Sequence, residues 1–140
     1  MEQQLPQRSD RLRRLKTRAQ FQAALAGATV ARTPHFALHR CALEARPDAA
    51  PLFDSTDDVW LGAMVPKRWA KRAVTRNAIK RQIYNVSDAA ETSLPHAAHV
   101  VRLRAAFDRK EFVSATSEKL KAAVRAELQQ LLQRARAART

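Results

Sequence analysis

The stretch PKRWAKRAVTRNAIKR, residues 66–81, carries seven Lys and Arg side chains in sixteen positions and no Asp or Glu. No acid occurs between Val59 and Ser87. Cations at this density bind phosphate, Arg through a planar fork that takes two oxygens and Lys as a point charge. Arg76 and Lys80 are like charges at i, i+4, which weakens an isolated helix, whereas a solvated face ordinarily mixes signs. A polyanion lying on that face would relieve the repulsion; a merely solvated face is the bland alternative. Hydrolytic machinery is poorly provided for. A metal-dependent nuclease needs clustered carboxylates, and general-base catalysis needs a positioned imidazole. The acids instead gather in the segment Glu44–Asp58 and in the last helical segment, without catalytic spacing. His35, His39, His96 and His99 form two distant pairs with no convincing carboxylate or Cys partner, so no metal site is expected in the chain.

The bulk numbers agree with a nucleic-acid partner. The 140 residues suffice for one domain with one core, and 46% hydrophobic content supports packing over wholesale disorder. A formal net charge of +13 repels itself in a compact fold, which a polyanionic partner would offset. No apolar run is long enough to span a bilayer, and the N-terminal MEQQLPQRSDRLRRLK lacks the apolar core of a signal peptide, so no membrane partner and a cytoplasmic location are expected. The single cysteine, Cys41, excludes an internal disulfide and reads as a small packing residue on a strand.

The elements that must position the cations follow from pattern. Residues 1–16 read as a basic arm. Thr17 is an N-cap candidate for a short helix with Phe21 and Leu25 on one face and Gly27 as its stop. TPHFALHRCAL alternates Phe36, Leu38 and Arg40 against Ala37, His39 and Cys41, as a strand does. A loop rich in Pro and acid leads to a second strand, VWLGAMV, and then to the basic helix, which runs to about Glu91. HVVRLR reads as a third strand. From about Ser114, Leu120, Val124, Leu128 and Leu131 mark an amphipathic helix, and residues 134–140 a basic tail. The expected architecture is a single α+β domain over residues 17–133, order α-β-β-α-β-α, a short sheet covered by helices.

On the basic helix, Ile79, Ile83, Val86 and Ala90 fall on one narrow stripe, while Arg76, Asn77, Lys80, Arg81 and Tyr84 occupy a neighbouring sector. One side can therefore pack on the sheet while another meets phosphate and sugar groups. Phe21, Phe36 and His39 fit either of two roles, a platform on which bases stack or ordinary buried side chains. Trp69, directly after Lys67 and Arg68, could stack on RNA or shield the helix start.

KRAVTRNAIKRQI resembles the signature of the protein subunit of bacterial ribonuclease P, an Arg-Asn-Arg core followed by an aliphatic residue and Lys-Arg. The resemblance covers most of the chain: RLRRLKTRAQFQAAL is similar to the family's basic arm and first helix, HFALH to its first strand, and WLGAMVPKRWAKRAV to the strand entering the signature. Ala78 stands where the second signature Arg is usual, Tyr84 at another frequently basic position, and Leu25 where a second aromatic is common. The resemblance implies an unusual left-handed βαβ crossover and a subunit of a tRNA-processing endoribonuclease. In that enzyme a catalytic RNA, with Mg²⁺ bound largely by the RNA, hydrolyses one phosphodiester of precursor tRNA and releases its 5′ leader. Carried over, Arg72, Arg76, Asn77, Lys80 and Arg81 would contact the catalytic RNA. Phe21, Phe36, His39, Lys67, Arg68 and Trp69, with Arg11 and Arg14 of the arm, would hold the leader. A ribosomal or other nucleic-acid-binding module without processing activity is the alternative. A helix-turn-helix reading fits poorly, because strand-like segments flank the basic helix.

Overall fold

Thr17 starts the first helix as expected. Its hydroxyl accepts the Gln20 N–H at 3.1 Å while the Gln20 carboxamide oxygen accepts the Thr17 N–H at 3.1 Å, a closed capping box. This helix, α1, spans Arg18–Ala26 in the computed structural model, which describes residues 12–43, 52–89, 94–107 and 118–137. Gly27 ends it, and a Cβ there would collide with the carbonyl oxygen of Arg40, so the close approach of two chain segments requires glycine.

The expected order is present with two short strands added to it. Around α1 lie β1 (Leu12–Arg14), β2 (Ala28–Arg32) and β3 (Phe36–Cys41); then follow β4 (Val59–Met64), α2 (Ala73–Ala89), β5 (Ala98–Leu103) and α3 (Glu118–Ala137). Without β1 and β2 the order is α-β-β-α-β-α. Leu12–Arg14 falls inside the segment expected as a basic arm; it is instead an edge strand parallel to β4, with Leu12 opposite Val59 and Arg14 opposite Leu61. The tail expected from residue 134 begins as helix, and Arg134 donates to the carbonyl oxygen of Arg32 at 2.6 Å. Residues 1–11, including Arg11, and 138–140 lie outside the described residues. Ala90, placed on the packing stripe by its spacing, lies outside them too.

The sheet order is β1-β4-β5-β3-β2. β4 and β5 pair parallel with α2 as their crossover, while β3 pairs antiparallel to both β5 and β2. Alternation gives the sheet two covered faces. Phe36, Leu38, Leu61 and Leu103 meet Ile79 and Ile83 of α2 and Leu128 and Leu131 of α3 on one face. Trp60, Ala98 and Val100 meet Ala24 of α1 on the other, with Phe21 and Leu25 packed at its margin. α3 is fastened by Glu127. Its carboxylate accepts the Thr33 hydroxyl at 2.7 Å and the His35 N–H at 2.6 Å, and lies 2.8 Å from His35 Nδ1. The imidazole of His35 in turn stacks on Phe107 at 3.9 Å.

Candidate nucleic-acid interface

α2 exposes its cations as its periodicity predicts. Ile79, Ile83 and Val86 are buried, while Arg81 and Asn77 are exposed and Arg76 and Lys80 lie on the flank. Arg72 precedes the helix, exposed, with its carbonyl oxygen accepting the N–H of Arg76 at 3.1 Å. Among the described residues no carboxylate pairs with Arg72, Lys80 or Arg81, whereas Asp54 and Asp58 both pair with Arg13, at 2.9 and 3.2 Å. Arg76 has a structural share: one terminal nitrogen donates to the carbonyls of Ala70 and Lys71 at 3.1 and 2.8 Å, folding the preceding turn onto the helix. That turn carries Lys67 and Arg68, both exposed, and is closed by the N–H groups of Trp69 and Ala70 donating to the Pro66 carbonyl.

Tyr84 explains its own departure from a basic residue. The strand β1 ends short of Ala63, and the Tyr84 hydroxyl accepts the Ala63 N–H at 3.3 Å on that open edge. The guanidinium of Arg14 lies 3.8 Å over the Tyr84 ring. Arg14, expected among the leader contacts, thus stands beside α2.

The second surface is the α1-covered face of the sheet. Phe21 lies against Gly62 so closely that a Cβ at residue 62 would stand 2.5 Å from its ring. Phe21 is half-buried, leaving part of the ring at the margin of this face. Phe36 is a correction. Its side chain is 0% exposed on the opposite face, under α2 and α3, and offers no ring face to a base. His39 does share the face with Phe21 by alternation, but it is only 7% exposed and both ring nitrogens are engaged. Nδ1 lies 3.2 Å from the Thr29 hydroxyl, and Nε2 accepts from Arg102 Nε at 3.1 Å. Burial, then the charges of Arg102 and Arg32, hold its pKa below the ordinary imidazole value, so it is neutral at pH 7. Stacking on a base is not open to it. Trp69 is half-buried against the core, with the Arg68 guanidinium 5.2 Å over its ring.

Arg32, Arg102 and Arg104 were not among the expected contacts. Arg32 and Arg102 stand on either side of Ala37 in the sheet register, on the α1 side, and Arg104 continues the alternation just past β5. The i, i+2 spacing of the two arginines in HVVRLR was the available signal. A cavity of about 640 Å³ opens at the far end of β3, between Thr29, Arg40, Cys41 and His96, and none of the expected contacts lines it. Cys41 is half-buried against the core, and burial raises its thiol pKa, in keeping with a packing role. Among the described residues no group of three or more His, Cys, Asp or Glu is placed to hold a metal ion, and no helix is long and apolar enough to cross a membrane.

Comparison with known proteins gives a consistent family. Residues 10–136 match the family model described as Ribonuclease P. The chain is 36% identical over 115 residues to the ribonuclease P protein component of Bordetella parapertussis, covering 82% of this chain and 85% of that one. It is 37% identical over 78 residues to that of Burkholderia pseudomallei, covering 56% and 57%. Among solved structures, the Staphylococcus aureus RNase P protein superposes with a TM-score of 0.59 at 21% identity, over 86% of this chain and 92% of that one. A mutant of the same protein, with defective mRNA degradation activity, gives 0.61 over 86% and 85%. These two likenesses concern the fold.

Proposed function

We propose, because the chain belongs to the ribonuclease P protein family, that it is the RNA-binding subunit of a tRNA-processing holoenzyme. In this reading α2, with Arg72, Arg76, Asn77, Lys80 and Arg81, binds the catalytic RNA, and the α1-covered face of the sheet holds the 5′ leader of precursor tRNA. The observation that carries it is the unpaired charge of α2: among the described residues its cations have no acidic partners, while Asp54 and Asp58 both pair with Arg13. Uncompensated cations flanking a packed stripe favour a phosphate backbone as their partner, and they position it without reading sequence. Phe21 and the exposed Lys67 and Arg68 fit a single strand: a ring edge for a base and cations for the backbone.

The chemistry is assigned to the RNA subunit, with Mg²⁺ carried by that RNA, and the expected place of work is the cytoplasm. The chain supplies affinity and orientation. Neutralising phosphate repulsion between two RNAs lowers the Mg²⁺ needed for their encounter. The test is reconstitution with a bacterial ribonuclease P RNA at low Mg²⁺. Leader removal should depend on both components, and RNA-free protein alone should cleave nothing. Specific cleavage by the protein alone would overturn the RNA-catalyst assignment. RNA binding without any gain in processing would favour a ribosomal or other nucleic-acid-binding module.

A further inference from the structure

We propose that Arg102 is a phosphate contact for single-stranded RNA lying across the α1-covered face of the sheet, and that His39 is the positioning residue that aims its guanidinium. The inference rests on the leader reading given above and names residues within it. Arg102 stands in β5, opposite Ala37 of β3 and Met64 of β4, neither of which offers its side chain an acceptor comparable to a carboxylate. Among the described residues it has no acidic partner. Among the described residues its side chain makes one hydrogen bond, from Nε to His39 Nε2 at 3.1 Å, and His39 Nδ1 meets the Thr29 hydroxyl at 3.2 Å. The relay thus crosses three adjacent strands, β2, β3 and β5, which is a rigid mount for a long side chain.

One tautomer satisfies every member. The Nε2 lone pair accepts from Arg102, and Nδ1–H donates to the threonine oxygen. With Nε engaged, the two terminal nitrogens of the guanidinium remain as an end-on fork, the geometry that takes two oxygens of a phosphate. Arg102 is half-buried, so that fork is not sealed in the core. Arg32, exposed and on the other side of Ala37 in the same row, places a second cation beside it. A charged imidazole buried close to the Arg102 and Arg32 charges would be costly, and the neutral ring offers its one lone pair to Arg102 Nε.

The experiment uses the holoenzyme assembled with its RNA subunit, and compares affinity for precursor tRNA with affinity for mature tRNA at one salt and Mg²⁺ concentration. Arg102→Gln should reduce the preference for the leader-bearing substrate by roughly tenfold, with mature tRNA unaffected. His39→Leu should lose about as much, while His39→Gln, whose carboxamide oxygen can accept from Arg102 Nε, should retain most of it. Unchanged preference in folded Arg102→Gln overturns the phosphate contact; this side chain is half-exposed, so the variant is informative even if His39→Leu unfolds. Equal loss in folded His39→Leu and His39→Gln overturns the positioning role. If the wild-type protein adds no leader preference to the RNA alone, the leader reading itself falls, and this inference with it.

Discussion

The hydroxyl of Tyr84 and the main-chain nitrogen of Ala63 lie 3.3 Å apart, joining the middle of α2 to the edge of the sheet where β1 has ended. An edge N–H left without an acceptor costs free energy, and Tyr84 supplies the acceptor while its ring carries Arg14. Tyr84→Phe should therefore lower stability in urea unfolding by about 1 kcal/mol, with the cation stack and RNA affinity kept. An unaffected unfolding midpoint would show that water replaces the phenol at no cost.

Phe36 is expected to behave as core alone. Phe36→Ala should destabilise the domain by about 3–5 kcal/mol, and Phe36→Leu by no more than about 1.5 kcal/mol. Holoenzyme built with the folded Phe36→Leu protein should bind precursor and mature tRNA as wild type does. A selective loss of precursor affinity would return this ring to the leader surface.

Gly62 and Phe21 form a coupled pair. A methyl group at residue 62 meets the Phe21 ring at 2.5–2.7 Å and Leu15 at 2.9 Å. Gly62→Ala should displace α1 and cost about 1–3 kcal/mol, with precursor affinity falling alongside. Adding Phe21→Leu should recover part of the stability and none of the precursor affinity, as a double-mutant cycle would read directly. Additive costs would mean the two side chains do not meet.

Stability should fall on acidification because of His99. This imidazole is 0% exposed, accepts from Arg40 Nε at 3.3 Å and donates from Nε2 to the Pro95 carbonyl at 3.0 Å. Burial, reinforced by the Arg40 charge and opposed by the Pro95 bond, lowers its pKa from 6.5 to about 4. The unfolded chain then binds the proton more readily, so stability is full above pH 6.5 and declines as pH falls towards 4. The loss by pH 4 should be roughly 3 kcal/mol, and His39, shifted in the same direction, adds to it. Urea midpoints measured from pH 7.5 to 4 check this, with His99→Gln expected to flatten the profile. A midpoint independent of pH in the wild type would show His99 neutral in both states or accessible to water.

The long elements were legible because their signals are local. Ile79, Ile83 and Val86 are buried and Arg81 is exposed as helical spacing requires, and Thr17 and Gly27 bound α1 through their own caps. β1 was not legible, since three residues pairing parallel with a strand that starts at residue 59 leave no periodic trace in sequence. The alternation in β3 separated Phe36 from His39, but both faces of the sheet are covered, so the pattern alone did not say which face bears a helix on top and which a margin open to a ligand. Tyr84 read as a lost cation because its partner, Ala63, is a main-chain group on a distant strand. The i, i+2 spacing of Arg102 and Arg104 puts both on one face of a strand but does not say which; the meaning of Arg102 comes from His39 across the ladder.

The RNA-binding assignment of α2 is tested most directly by the salt dependence of binding to the catalytic RNA, comparing wild type with a protein carrying Arg72→Ala, Lys80→Ala and Arg81→Ala together. None of the three enters the packed stripe, so thermal unfolding should show an intact domain. Each lost phosphate contact lowers the magnitude of the log–log slope by about 0.7–0.9, so the triple variant should bind more weakly with a slope reduced by roughly 2. A folded triple variant with wild-type affinity and wild-type slope would contradict it, and would make these cations an ordinary solvated face.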